Sequence, residues 1–182
     1  MTLQEVRSSH AFCHRYVDFP GNLAAALLVY LRDHPSIPRP AGTILISPWL
    51  DPSLSRTAES PFVGTDFVYG DGTCNGTRLM AKALAGDKYD PSSPEISLAL
   101  SKNLKGVPSH MCCYGSAEVY QEDSKMWIQR CKEDAVDVTE YCGKGAVHTF
   151  PLGGLTADSK LENESDEILL DYIVKQVGIE TS

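Results

Sequence analysis

Three short apolar runs constrain this chain more than anything else in it: "TILISPW" (43–49), "SHMCCYG" (109–115) and "VDVTEYC" (136–142). Each has the length and composition of a buried strand, and the first stops at Pro48. Helical stretches alternate with them. Leu23 to Leu31 is apolar on every side, which predicts a helix buried all round, ended by Arg32, Asp33, His34 and Pro35. "CNGTRLMAKALAG" (74–86) predicts a second helix of about three turns. Residues 120–132 form a third, with Tyr120, Ser124, Trp127, Ile128 and Cys131 on one stripe and Glu122 and Asp123 in its first turn. "ESDEILLDYIVKQVG" (164–178) closes the chain as a helix burying Ile168, Leu169, Tyr172, Ile173 and Val177. Such alternation defines the α/β class, a parallel sheet covered by helices. Only three strands are legible, and "HAFCHRYV" (10–17) could add one more. Three alone would leave an unpaired edge and apolar helix faces uncovered.

Charge narrows the function. A net charge of −8, with no dense Lys/Arg cluster, argues against nucleic acid as a partner. The segment after Met1 has no basic region followed by an apolar core, so no secretory signal is read. The longest apolar run is far too short to span a bilayer. Six cysteines, two of them adjacent at Cys112 and Cys113, suit buried thiols in a reducing, cytoplasmic setting. "HAFCH" (10–14) gathers two His and a Cys, but no second cluster completes a tetrahedral set, so no zinc site is expected. No cofactor is called for.

Chemistry concentrates in two loops. "GSAEVYQED" (115–123) and "GKGAVHTF" (143–150) each follow a strand, and sites on such sheets lie beyond the carboxyl ends of the strands. Glu118 precedes His148 by 30 residues. A carboxylate that orients an imidazole, which in turn takes a proton from a nucleophile, is the acid–base half of a catalytic triad. The order acid then histidine is that of α/β-hydrolases. The plainer readings are a helix N-terminal carboxylate and a surface or capping histidine.

"GNLAAALLVYLRD", "PAGTILISPWLDPS", "YDPSSPEIS", "GSAEVYQED" and "GKGAVHTF" together resemble the C-terminal half of hormone-sensitive-lipase-like esterases, the fold-3 group of α/β-hydrolases, over residues 21 to 177. The resemblance implies a partial α/β-hydrolase fold without its N-terminal strands and an ester as the small-molecule substrate. It puts Glu118 at the acid position and His148 at the base, with Asp123 a structural carboxylate and lesser alternative. Trp49 would line the pocket or belong to the core.

The same resemblance exposes a gap. The family carries its serine in a Gly-Asp-Ser-Ala-Gly-Gly-Asn run before the buried helix. Aligned on Gly21 and Asn22, this chain has Tyr16, Val17, Asp18, Phe19 and Pro20 there. Asp18 falls at the nucleophile position. Some α/β-hydrolases do use an aspartate to form a covalent ester. The elbow is sharp and wants small neighbours, so Tyr16 and Pro20 are expected not to fit it. Ser8, Ser9 and Cys13 lie off the elbow and are expected to be inert. The His-Gly-Gly oxyanion run is absent as well, and "PLGGL" (151–155) reads as a turn. Losing one oxyanion donor costs about 10²–10³ in rate. Residues 1–20 therefore read as an atypical segment, 21–177 as part of a hydrolase domain, and 178–182 as a tail. The expectation is a truncated, catalytically impaired esterase or lipase relative, either a diverged paralogue or the product of a misassigned N-terminal half. The alternative is a non-catalytic binding protein that forms an oligomer through its exposed sheet edge.

Overall fold

Among the described residues, four strands form one parallel sheet in the order β1-β2-β3-β4. They are β1 (Cys13–Val17), β2 (Gly42–Pro48), β3 (His110–Gly115) and β4 (Val138–Gly143). The α-helices that connect and cover them among the described residues are α1 (Asp18–Asp33), α2 (Asn75–Ala85), α3 (Gln121–Glu133) and α4 (Ser159–Val177). This computed structural model describes residues 13–69, 74–153 and 159–178, with residues 13–20 and 69 described as backbone only.

The three strands expected from apolar runs are all present, and "HAFCHRYV" does supply a fourth through its last five residues. β1 pairs with β2 from Cys13 opposite Gly42 to Val17 opposite Ile46. Residues 10–12 of that stretch, and Ser8 and Ser9, lie outside the described residues. The central strands β2 and β3 are buried at every position, whereas β4 is an edge strand that alternates buried and exposed towards its end.

Period-two alternation of side chains divides the core into two layers. Leu45, Cys112 and Tyr114 face α1 and α3, meeting Ala24, Ala25, Leu28, Trp127, Ile128 and Cys131. Ile44, Ile46, Met111 and Cys113 point the other way, onto Tyr141, Phe150, Leu169 and Tyr172. A third cluster of Trp49, Leu54, Ala81, Val119 and Tyr120 carries α2 above the carboxyl ends of the strands.

Two expectations change. α1 is not buried all round: Ala24, Ala25, Leu28 and Leu31 face the sheet, while Leu23, Leu27 and Tyr30 are about half exposed. An apolar stripe alone cannot tell which neighbours a helix finds. α1 also begins at Asp18, upstream of the Leu23–Leu31 run over which a helix is expected. Among the described residues no helix is long and apolar enough to cross a membrane.

Candidate active site

Because all four strands run in parallel, their carboxyl ends share one edge, and the two loops of interest meet there. The loop after β3 and the loop after β4 are zipped together by backbone bonds. Ser116 N–H donates to the Gly143 carbonyl (2.9 Å) and Ala117 N–H to that of Ala146 (2.8 Å). The Ser116 hydroxyl accepts the Gly145 amide at 2.8 Å. Gly115 permits the crossing, since a Cβ there would lie 2.3 Å from the Ala146 carbonyl oxygen.

Glu118 is fully buried in this crossing, and its Oε2 accepts the Ser47 hydroxyl at 2.6 Å and the Gly115 amide at 3.0 Å. Burial pushes its carboxyl up to about 8, opposed by the Ser47 and Gly115 hydrogen bonds and reinforced by the Asp66 and Asp123 charges. His148 is also buried, its ring edge-on to Tyr120 (5.3 Å) and Phe67 (5.8 Å). Desolvation pulls its pKa down to about 4, so the imidazole is neutral at pH 7. Glu118 Oε1 and His148 Nδ1 are both buried without a partner among the described residues. A triad joins a carboxylate oxygen to Nδ1 of its histidine. Each group has been desolvated here without the bond that would offset the cost.

Two residues unmarked in the sequence tie the site together. Ser47, at the end of β2, has a φ of 45° and accepts the Thr149 amide at 2.9 Å on the same oxygen that donates to Glu118. Thr149 is itself left-handed, with a φ of 57°. Asp66 accepts the Val119 amide at 2.9 Å, and backbone hydrogen bonds from Val68, His148 and Phe67 also reach it. Burial nonetheless raises its carboxyl above the usual range. A Ser-Pro step was the one available hint at Ser47. Asp66 lay in a polar stretch with no period to mark it.

Asp123 is engaged through both of its oxygens. Its Oδ2 accepts the Leu50 (3.2 Å) and Asp51 (2.8 Å) amides, and the Thr57 hydroxyl approaches Oδ1 at 3.4 Å. Burial and the neighbouring Asp51 charge push it up to about 8. Asp51 in turn accepts the hydroxyls of Ser53, Ser55 and Ser97. Trp49 is fully buried and stacks on Tyr120 at 6.0 Å, one layer behind the ring that touches His148.

The backbone passes directly from β1 to α1 between Val17 and Asp18. Tyr16 stands within the strand and Pro20 within the first helical turn. A proline in the first turn is tolerated because the amide it lacks would have had no intrahelical partner. Among the described residues no group of three or more His, Cys, Asp and Glu side chains is placed to hold a metal.

A parallel sheet with a carboxylate and a histidine on adjacent loops at its carboxyl edge defines the α/β-hydrolase class. A family described as the alpha/beta hydrolase fold matches residues 20–152. The chain is 33% identical over 119 residues to an esterase of Acinetobacter venetianus, covering 64% of this chain and 37% of that protein. A hormone-sensitive lipase from a metagenome library superposes with a TM-score of 0.76 at 23% identity, over 96% of this chain and 56% of that one. EstE5, from a crystal soaked with p-nitrophenyl butyrate, gives 0.74 at 24% identity, over 91% of this chain and 53% of that one. The chain belongs to the alpha/beta hydrolase fold family. It spans little more than a third of the curated relative and about half of the solved structures.

Proposed function

We propose that this chain carries the acid–base pair of a carboxylic ester hydrolase, Glu118 as acid and His148 as base, and is catalytically impaired as it stands. The observation that carries this reading is the pair of unpartnered buried atoms, Glu118 Oε1 and His148 Nδ1, on interlocked loops at the carboxyl edge of the sheet. Asp123 serves less well as the acid, because both its oxygens approach groups in the segment after β2. Impairment follows from the residue at the strand-to-helix junction, which is Asp18 where an esterase of this family needs serine. Without the nucleophile only residual catalysis from binding remains.

Turnover of p-nitrophenyl butyrate and labelling by a fluorophosphonate test this. Both are expected at background. Labelling, or turnover abolished by His148→Ala, overturns the impairment. An aspartyl-ester route through Asp18 predicts instead that an epoxide or haloalkane is hydrolysed and that Asp18→Asn stops it.

A second reading, a non-catalytic interaction protein, draws on the half-exposed stripe of Leu23, Leu27 and Tyr30 on α1. It lies on the helix that follows β1, whose described pairing is to β2 alone. Light scattering after size-exclusion decides it: the reading expects a dimer or heteromer that Leu27→Glu disperses, and a stable monomer counts against it.

A further inference from the structure

Ser47 combines three properties seldom found together. It is wholly buried, its backbone has a φ of 45° that side chains rarely adopt, and its hydroxyl is engaged on both sides. A non-glycine residue held there is strained and persists where the surroundings require it. Glycine would remove that strain, so what serine adds is the hydroxyl. Its proton goes to Glu118 Oε2 and its oxygen takes the Thr149 amide, one residue beyond His148. With no exposed surface, the hydroxyl is enclosed between the two loops and has no room to attack a substrate.

We infer that Ser47 is the positioning residue of the acid–base pair, a hydroxyl bridge that fixes the Glu118 carboxyl and ties the histidine loop to it through Thr149. The assignment of roles to Glu118 and His148 rests on the proposed function; the bridge itself rests on the two hydrogen bonds. One of its ends steers Oε2 away, leaving Oε1 as the oxygen open to a partner. The other end anchors the left-handed turn at Thr149 from which His148 projects. Glu118 is faced by the Asp66 carboxyl from the loop before α2, by Asp123 from α3 and by the Gly115 amide from the end of β3. Both carboxyls disfavour its ionised form, so the Ser47 and Gly115 donors are what favour it.

The test uses two variants of the whole chain, Ser47→Ala and Ser47→Gly, read by the pH titration of the Glu118 side-chain carboxyl carbon and by hydrogen exchange of the Thr149 amide. Loss of a hydrogen bond to a charged group is expected to move the Glu118 midpoint upward by about one pH unit. Thr149 exchange should quicken by about tenfold or more once its buried acceptor is gone. Ser47→Gly is the deciding variant, because it relieves the backbone strain and so folds even if Ser47→Ala does not. An unchanged Glu118 midpoint or unchanged Thr149 exchange in folded Ser47→Gly overturns the assignment. A merely structural serine would shift the melting temperature and leave the midpoint where it was. Neither readout needs ester turnover, so the bridge can fail while the proposed function stands, and the reverse.

Discussion

Gly115 and Ala146 pass so close that any side chain on the first would drive into the carbonyl of the second, at 2.3 Å from its Cβ. This crossing holds the Glu118 loop against the His148 loop. Gly115→Ala is therefore expected to cost about 1–3 kcal/mol, the range for forcing atoms into packed space, and to break the Ala117 to Ala146 hydrogen bond. Urea unfolding and amide exchange at Ala117 check it. Full stability with a protected Ala117 amide would mean the loops can separate without loss.

Glu118 sets a pH dependence whose sign can be worked out. Its folded pKa of about 8 lies above the 4.5 of an ordinary Glu, so the folded state holds its proton more tightly. That contribution to stability is complete below pH 4.5 and is lost as pH rises to 8. Glu118→Gln removes the titration. Between pH 5 and 8 the wild type should lose about 1–3 kcal/mol relative to the variant. Parallel denaturation curves at the two pH values measure this, and an equal response in both proteins refutes it.

Asp123 is expected to be structural. Replacing it with alanine leaves the Leu50 and Asp51 amides without their acceptor in a buried place, at a cost of about 1–3 kcal/mol each. The loss should appear in the denaturation midpoint while the His148 imidazole resonances stay where they are. A displaced His148 signal would restore Asp123 to the acid–base machinery.

His110 governs part of the acid limb. Its Nδ1 donates to the Pro108 carbonyl (2.9 Å), and its Nε2 accepts the Trp127 indole N–H (2.8 Å), which requires the neutral ring. Burial pulls its pKa from 6.5 down to about 4, so its contribution is present above pH 6.5 and fades as pH falls towards 4. Trp127→Phe leaves Nε2 with only the Cys131 thiol, at 3.8 Å, and should cost about 1–3 kcal/mol at pH 7. It should also raise the pH at which acid unfolding begins; an unmoved acid midpoint would show the bond to be dispensable.

Local pattern made most of this protein legible from its residues. "TILISPW", "SHMCCYG" and "VDVTEYC" are strands because β-branched and apolar runs between breakers suit a sheet buried on both faces. Parallel strands then had to bring the loops bearing Glu118 and His148 to one edge, so those two residues could be named before any contact was known. Tyr16 in the strand and Pro20 in the opening helical turn flank the junction at position 18, whose place between β1 and α1 no apolar period marks. Whether Leu23, Leu27 and Tyr30 met a neighbour was likewise decided only by the fold. The hydrogen bonds that Ser47 makes across 71 and 102 residues of chain belong to tertiary structure alone. Periodicity records which side of an element is apolar. It carries no information about which distant donor a carboxylate will find, because that depends on how whole layers stack.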